Sequence, residues 1–368
     1  MNRSGILGVS LAFLLAMGCT TPSTPPSPGT DNLSSSITDP GTSSITDPGT
    51  SSFTDPGVIP GTSSVANSSS TDPNGTSNSV PSSSIYVASS AATSSSNNIT
   101  ATCGTGQLPT PISGGTSGWG SRYWDCCKPS CSWRENTMAI GTPNGIARNC
   151  SATNQESMCF IDRGTWFEGT KSGCEASGEA FTCYSNAPYA VCDKLAYGFA
   201  AVPSSTPACG KCFQLDFNGG AKYGTPKPAH LLMKGKTMIV MASNTGGDVG
   251  SGQFDILIPG GGLGAFKDGC AKQWGVDVNN TALVGETYGG FTSTCQAKLG
   301  WDAPVASYKA CVIGMCDKLF GTNPALSQLY EGCKWYANWM NAVDNPTFTY
   351  KEVTCPAELV AKYKSSFH

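Results

Sequence analysis

Between positions 209 and 355, apolar residues either alternate with polar ones or form short β-branched runs that end at Gly, Pro or Asn. Alternation with a period of two is typical of β-strands, because successive side chains point to opposite faces. Short apolar runs bounded by turn residues favour the same element. The pattern therefore predicts four strands, at 209–217, 236–243, 254–258 and 347–355.

A helical spacing of three and four residues occurs nearer the C-terminus and predicts a helix over 325–342. Pro356 suits the first position of a helix and predicts a second, short one over 357–364. Short strands separated by long loops favour a small β-barrel with peripheral helices, and the periodicity alone leaves the kind of barrel open. The spacing of the first helix is carried by Leu326, Leu329, Tyr330, Cys333, Tyr336 and Met340.

The chain from position 20 to about 100 has a different composition, dominated by Ser, Thr, Pro, Gly, Asp and Asn, with Phe53 and Tyr86 as its aromatic residues. An eight-residue unit, Ser-Ser-Ile-Thr-Asp-Pro-Gly-Thr, begins at Ser35, repeats at Ser43 and recurs with Phe53 at Ser51. One apolar residue per unit cannot build a solenoid core or offset the entropy of ordering. We therefore predict a disordered linker or stalk over 19–115 and a catalytic domain over 116–368.

The N-terminus has the features of an export signal. Arg3 precedes an apolar run over 6–17, which is too short to cross a bilayer of ~30 Å. Ordinary signal cleavage after Gly18 and a lipoprotein-type cleavage before Cys19 both remain open. We predict a signal peptide over 1–18 and a secreted or cell-surface protein, with a lipid anchor at Cys19 in the second case.

Of the 18 cysteines, sixteen lie between Cys126 and Cys355. An even set in an exported region rich in Gly and Pro predicts a framework of up to eight disulfides. Cys19 and Cys103 remain. If Cys19 is lipidated or removed with the signal, Cys103 is either unpaired or changes the pairing inside the core.

A metal site at Cys209 and Cys212 is the alternative use of these cysteines. A structural zinc site needs a second pair of ligands, and the chain has two histidines, His230 and His368. We therefore expect no metal and no cofactor.

The net charge is −3, with 13% charged residues. No run of basic residues would follow a phosphate backbone, so nucleic acid is excluded as a partner. A neutral polysaccharide fits this composition better, and we expect a monomer.

Asp125 lies in a segment rich in cysteine. Cys126 and Cys127 follow it directly and Cys131 comes shortly after, so three disulfides are expected to hold the segment. A rigidly placed carboxylate is useful in catalysis, which needs positioning to about 0.5 Å. A simple turn cap would also explain this aspartate.

Asp255 begins an apolar strand that ends at Pro259 and three glycines, which allow close approach of a substrate or another backbone. If Phe254 points into the core, alternation turns Asp255 toward a groove, where apolar surroundings would raise its pKa. Bonding to nearby amides is the alternative explanation. Glycoside hydrolysis needs such a pair: an acid that protonates the leaving oxygen and a carboxylate on the other face of the ring.

The glycine-rich segment 243–252 contains Asp248, which either closes over a bound sugar or forms an Asx turn. Aromatic residues near these motifs either stack on pyranose rings or belong to the core, and we expect two or three of them to be exposed. They are Trp119, Tyr123, Trp124, Trp133 and Trp166.

In combination, these motifs resemble glycoside hydrolase family 45, the small secreted endoglucanases that cut β-1,4-glucan. The resemblance covers about 120–363. Its long, ordered anchors are the segments 121–133, 254–255, 258–262 and 344–348, and further anchors lie at 171–175, 197–201, 244–248 and 355–360.

The resemblance implies a mainly β fold, a six-stranded double-psi β-barrel with long disulfide-linked loops, a few short helices and an open cleft. It implies Asp125 as the general base, Asp255 as the general acid and Asp248 as an assisting carboxylate on a flexible loop. An inverting mechanism would place the two carboxyls ~6.5–9.5 Å apart. The positions that match substrate-binding residues of the family's cleft are Ser121, Tyr123, Lys128 and Trp133.

The sequence departs from the family pattern in three places. Gln253 replaces a histidine that often precedes the acid, which removes a titratable neighbour. Gly210 falls where relatives can carry a further cysteine, so their disulfide pattern does not transfer as a whole. The segment 298–329 resembles an insertion with Cys311 and Cys316, which either lengthens the cleft or decorates the surface.

Two non-hydrolytic alternatives remain. Expansin-like wall-loosening proteins share the barrel and the acid but generally lack the base, whereas this chain has Asp125. A carbohydrate-binding or adhesion module would suit the stalk but does not explain two carboxylates in matched contexts. We therefore predict an endo-β-1,4-glucanase that hydrolyses cellulose or related β-glucans with inversion.

Overall fold

The computed structural model describes residues 101–138, 144–157 and 171–366, so the predicted signal at 1–18 and the predicted linker up to residue 100 lie outside the described residues. The described part is a mainly β domain with short helices and many disulfides. Its strands are β1 (Thr116–Tyr123), β2 (Tyr189–Ala190), β3 (Leu195–Pro203), β4 (Cys212–Ala221), β5 (Thr237–Gly246), β6 (Gln253–Leu257) and β7 (Pro346–Val353).

The strands form one sheet in the order β2-β3-β5-β4-β7-β1-β6, and a further pairing of β3 with β6 closes six of them into a ring. β2 is an added edge beside β3. β1 pairs in parallel with β6, and β3 in parallel with β5, whereas the other pairs are antiparallel. Closure of a sheet leaves its main strands without a free edge.

Aromatic side chains fill the space on one side of β1, β4, β6 and β7. The Phe254 ring lies 5.2 Å from Phe213, 5.8 Å from Phe348 and 4.9 Å from Tyr350, measured between ring centroids in edge-to-face geometry. Such pairs add to the stabilisation that burial of the rings supplies. The buried position of Phe254 confirms that its side chain points into the core.

The four predicted strands correspond to β4, β5, β6 and β7, with bounds shifted by one to four residues. The prediction missed β1, β2 and β3. β1 lacks an apolar alternation because Gly118 and Gly120 stand where its inward side chains would be. A Cβ on Gly118 would come within 2.7 Å of the Phe348 ring, so the aromatic core occupies that space instead.

The second predicted helix agrees to one residue with α8 (Ala357–Tyr363), with Pro356 at its N-cap rather than at its first position. The first is shorter than predicted and occurs as α7 (Ser327–Asn338), preceded by a 3-10 turn at Pro324–Leu326. It ends at Asn338, and it cannot extend to 342 as predicted because Asn341 and Ala342 adopt left-handed backbone angles, with φ of 56° and 50°. The helices are α1 (Arg134–Met138), α2 (Pro228–Leu231), α3 (Asp268–Trp274), α4 (Thr281–Val284), α5 (Gly290–Leu299), α6 (Val305–Leu319), α7 (Ser327–Asn338) and α8 (Ala357–Tyr363).

None of the helices within the described ranges is long and apolar enough to cross a membrane.

Eight disulfides join cysteines of the described residues. The predicted triple attachment of the Asp125 segment is confirmed, because Cys126, Cys127 and Cys131 pair with three separate parts of the chain. Such cross-links stabilise a loop-rich fold chiefly by restricting the unfolded chain. The pairs are Cys103–Cys192, Cys126–Cys270, Cys127–Cys174, Cys131–Cys209, Cys150–Cys183, Cys212–Cys355, Cys295–Cys311 and Cys316–Cys333.

The segment 101–115, which composition assigns to the end of the linker, is attached to the domain. Cys103 forms a disulfide with Cys192, so of the two alternatives for Cys103 the one in which it enters the pairing is confirmed. Further along, the Ile112 amide donates to Asp216 Oδ2 at 2.7 Å. These contacts connect the segment to β4 and to the turn before β3.

Candidate active site

The outward face of the β1–β6 pair carries most of the predicted site. In the parallel register Ser121 lies opposite Asp255, and Trp119 lies opposite Gln253. Alternation along β1 places Trp119, Ser121 and Tyr123 on one face, and these three are half-buried whereas the residues between them are buried. The aromatic core lies behind this face.

Asp125 follows β1 directly and is held by its neighbours. The Cys127 amide donates to Asp125 Oδ1 at 3.0 Å. Cys126, between them, has a left-handed φ of 60° and is joined to Cys270 in α3. Gly269 allows this close approach, since a Cβ there would lie 3.4 Å from the Asp125 carbonyl oxygen and 2.7 Å from Cys174 Sγ. A strained backbone of this kind persists only where surrounding structure enforces it.

The surroundings of Asp125 raise its pKa from the ordinary 3.8 to about 6. Burial is the largest cause, and the negative charge of Asp248 acts in the same direction. The hydrogen bond from the Cys127 amide opposes both, because it stabilises the ionised carboxylate.

Asp255 is in a less polar environment. Its Oδ1 is buried and has no hydrogen-bond partner among the described residues. Burial, and then the charges of Asp248 and Asp125, raise the pKa of Asp255 to about 7, while the Ser121 hydroxyl and the Arg122 guanidinium lower it. Asp255 therefore keeps its proton to higher pH than Asp125 does.

Asp248 is exposed in the turn that follows β5. Its charge acts on the pKa of both other aspartates, so the three carboxylates belong to one electrostatic site. Gln253 connects the loop that carries Asp248 to β1. The Gly250 amide donates to Gln253 Oε1 at 2.8 Å, and Gln253 Nε2 donates to Ser121 Oγ at 2.7 Å. The predicted loop aspartate is thus connected through Gln253 to the residue opposite Asp255.

The four predicted substrate-binding residues flank Asp125 along the chain. Tyr123 accepts a hydrogen bond at its hydroxyl from Asn244 Nδ2 at 3.1 Å. Lys128 is buried, and its Nζ lies 3.7 Å from the centroid of the Trp133 ring, a cation–π contact that leaves Trp133 half-buried. Ser121 is engaged by Gln253, as described above.

The other aromatic candidates divide between surface and core. Trp124 is fully buried, so it belongs to the core. Trp119, Tyr123 and Trp133 are each half-buried and retain accessible surface. Trp166 lies outside the described residues.

Sequence reasoning did not assign roles to two residues that the structure brings to the site, Asn244 and Arg122. Asn244 donates to Tyr123 and accepts at Oδ1 from the Ser130 amide at 2.8 Å, which links β5 to the segment after Asp125. Arg122 is buried, donates to Asp344 Oδ1 at 2.6 Å and lowers the pKa of Asp255. Both residues lie inside motifs that the sequence analysis used, 121–133 and 244–248. Their hydrogen-bond partners are distant in sequence, so the motifs alone did not indicate their contacts.

The described residues contain one cluster with metal-ligand spacing, Cys103, Cys192 and Asp193. The two sulfurs of this cluster are joined in a disulfide. Cys209 and Cys212 also enter disulfides, with Cys131 and Cys355.

Comparison with known proteins identifies the family. The family model described as Glycosyl hydrolase family 45 matches residues 117–365. The chain belongs to glycosyl hydrolase family 45. Within the family it is 45% identical over 252 residues to Endoglucanase B of Cellvibrio japonicus (strain Ueda107), covering 68% of this chain and 46% of that relative, so it spans about half of the relative's length.

The chain is also similar to an endoglucanase and to a cellulase of known structure. The Endoglucanase of Phaedon cochleariae is 33% identical over 258 residues, covering 68% of this chain and 85% of the relative. The solved structure of the cellulase from the Antarctic springtail Cryptopygus antarcticus is 31% identical, with a TM-score of 0.48, and covers 68% of this chain and 96% of the springtail chain.

Proposed function

We propose that this chain is an endo-β-1,4-glucanase that hydrolyses internal bonds of cellulose or related β-glucans with inversion. The observation that carries the proposal is the placement of two carboxyls on neighbouring segments, Asp125 directly after β1 and Asp255 on the paired strand β6. Burial raises the pKa of both, to about 6 for Asp125 and about 7 for Asp255. Membership of family 45 and relatives named endoglucanase support the substrate class.

In the proposed mechanism Asp255 is the general acid. Its protonated carboxyl gives its proton to the glycosidic oxygen as the bond to the anomeric carbon breaks. Asp125 is the general base and removes a proton from the water that attacks the opposite face of that carbon, so one displacement inverts its configuration. The carboxylate–amide bond from Cys127 suits the ionised role of Asp125.

The remaining residues have supporting roles in this proposal. Asp248 closes toward the bound glucan on its loop, and its negative charge keeps the acid protonated to higher pH. Ser121, Tyr123, Lys128 and Trp133 form the sugar-binding surface around the carboxylates.

The proposal extends to fold and location. The closed ring of β1, β3, β4, β5, β6 and β7 is assigned as a double-psi β-barrel on the resemblance of the sequence. Export through 1–18, and tethering at Cys19 through the linker if Cys19 is lipidated, would bring a monomeric enzyme to an extracellular polysaccharide.

The test is to incubate the purified protein with cellohexaose and to follow the product anomers by proton NMR within minutes. New α-anomer from an internal cut is the expected result, because inversion of a β-linkage yields it directly. Initial β-anomer would contradict the mechanism. Binding without any cleavage would favour the non-hydrolytic alternatives, which no observation in this structure favours.

A further inference from the structure

A cavity of about 600 Å³ lies outside the set of residues assigned to catalysis. Its walls come from the connection between β4 and α2, from the turn between α5 and α6, and from the segment before β7. The residues used below that line it are Tyr223, Lys227, Trp301, Asp302, Tyr308 and Asn345.

Two large aromatic side chains in this cavity wall are exposed. Trp301 is 66% exposed and Tyr223 is 65% exposed, which places both among the most exposed large apolar residues of the described chain. Leaving such rings in water is unfavourable, and exposed aromatic surface in a concave site is typical of ligand contact.

The turn that carries Trp301 is held on both sides. The Tyr308 hydroxyl donates to the carbonyl oxygen of Gly300. On the other side, Lys227 Nζ lies 2.6 Å from Asp302 Oδ1, which connects the turn to the start of α2. These two contacts restrain the turn that exposes Trp301 before any ligand arrives, and this lowers the entropy lost on binding.

Polar groups stand beside the rings. The Asp302 carboxylate, the Lys227 ammonium and the Asn345 amide all line the cavity. A pyranose ring presents a flat face of C–H groups and an edge of hydroxyls, so it can stack on an aromatic ring while its hydroxyls bond to such groups. The mixture of opposite charges and amide favours a neutral hydroxylated ligand over an anion or a cation.

The cavity is connected to the face of β1 that carries the active-site residues. Tyr223 contacts Trp119 edge to face, with ring centroids 5.8 Å apart. Trp119 lies on the same face of β1 as Ser121, roughly 7 Å along the strand at ~3.3 Å per residue. Ser121 is opposite Asp255 in the register. Aromatic surface thus runs from beside the acid to the cavity.

We propose that this cavity is a distal binding site for the β-1,4-glucan chain that is cut at Asp125 and Asp255. The inference rests on the proposed function for the identity of the glucan. Trp301 and Tyr223 supply stacking platforms, and the site adds affinity for long chains that short oligosaccharides cannot use. It also assigns a role to the 298–329 insertion, which contributes Trp301 and Tyr308.

The test compares Trp301→Ala and Tyr223→Ala with wild type on soluble barley β-glucan and on cellotetraose. Each variant is expected to lower kcat/KM on the polymer about 5- to 10-fold, chiefly by raising KM, because it loses one aromatic contact with the substrate. The kcat/KM on cellotetraose is expected to stay within about twofold of wild type. Trp301→Phe, which keeps a stacking face, is expected to restore most of the loss. Tyr330→Ala, on α7 outside the cavity, is the control and should match wild type on both substrates.

Equal losses of kcat/KM on both substrates, or an unchanged kcat/KM on the polymer, would overturn the inference. Binding of the polymer is measured in parallel by affinity electrophoresis, which needs no turnover. If wild type cleaves neither substrate, the proposed function fails, yet weaker retardation of Trp301→Ala alone would still support the cavity as a glucan site. Unchanged retardation of Trp301→Ala would overturn the assignment of the cavity as a glucan site, whatever the hydrolytic activity.

Discussion

At the scale of single residues, Asp125 and Asp255 are chemically identical and differ in what surrounds them. Asp125 Oδ1 accepts a backbone hydrogen bond, whereas Asp255 Oδ1 is buried without a partner among the described residues. The pKa is accordingly higher at Asp255 than at Asp125. Environment rather than residue type separates an acid from a base, as in other paired carboxyl sites.

Substitution of either carboxyl tests this division of roles. Asp125→Asn and Asp255→Asn are each expected to reduce kcat on β-glucan by at least ~10²–10⁴-fold, since each removes one proton-transfer group. Folding and oligosaccharide affinity should stay near wild type, because asparagine has the same shape. Initial rates, circular dichroism and calorimetric binding of cellohexaose measure the three properties.

Asp248→Asn is the comparison for these two variants. Asp248→Asn should lower kcat less than either of them, since Asp248 is exposed and acts through its charge on the pKa values of Asp125 and Asp255. Turnover close to wild type in Asp125→Asn or Asp255→Asn would refute the assignment.

At the scale of elements, the site depends on the pairing of β1 with β6 and on one side chain that joins this pair to the loop after β5. Gln253 accepts from Gly250 and donates to Ser121. Because Ser121 Oγ accepts that bond, its own hydrogen is available to the neighbouring Asp255, whose pKa it lowers. A single glutamine thereby connects loop position with the acidity of Asp255.

Gln253→Ala should affect both functions of this link. Loss of a hydrogen bond of ~1 kcal/mol to the loop is expected to lower kcat/KM roughly fivefold. Freed from Gln253, Ser121 is no longer directed toward Asp255, so the pKa of Asp255 should rise and the alkaline limb of the pH–kcat/KM profile should move to higher pH.

Ser251→Ala, in the same exposed loop, is the control for Gln253→Ala and should leave the profile unchanged. A fivefold loss without movement of the alkaline limb would show that Gln253 holds the loop only.

At the scale of the whole molecule, the disulfide-linked domain supports two carboxyls whose ionised forms are unfavourable in the folded state. In the unfolded chain both have the ordinary pKa of 3.8, and folding raises these to about 6 and about 7. The folded state therefore binds more protons between these values, so stability falls as pH rises. The stability that the folded protein retains while both carboxyls are protonated is fully present below pH 3.8 and is lost above about pH 7.

Activity and stability should consequently respond differently to pH. The proposed mechanism needs Asp125 ionised and Asp255 protonated, so kcat/KM is expected to be greatest between about pH 6 and about pH 7. Asp255→Asn should unfold at a clearly higher temperature than wild type at pH 8, because the rise of the Asp255 pKa from 3.8 to about 7 corresponds to on the order of 4 kcal/mol there. Below pH 3.8 the two proteins should unfold at the same temperature.

Scanning calorimetry across this pH range measures the stability difference, with the exposed Glu179→Gln as a control that should show none. Equal unfolding temperatures of Asp255→Asn and wild type at pH 8 would contradict the raised pKa of Asp255.

The sequence by itself determined the features that arise from local pattern. Alternation identified β4 to β7, and helical spacing identified α7, because period and side-chain direction are linked. The motifs made Asp125, Asp248 and Asp255 the candidate catalytic carboxylates, and the run of cysteines predicted the triple attachment of the Asp125 segment. Composition predicts that the stretch over 19–115 buries too little apolar surface to fold, and its part up to residue 100 lies outside the described residues.

The tertiary structure alone decided what depends on contacts between distant segments. β1 is a strand because its glycines make room for Phe348, which no period reveals. The pairing of Cys103 with Cys192 joins residues 89 positions apart, and spacing does not encode such a choice. The difference in pKa between two aspartates, and the meeting of Tyr223 with Trp301 in one cavity, likewise exist only after folding, because burial and electrostatic fields are properties of the assembled chain.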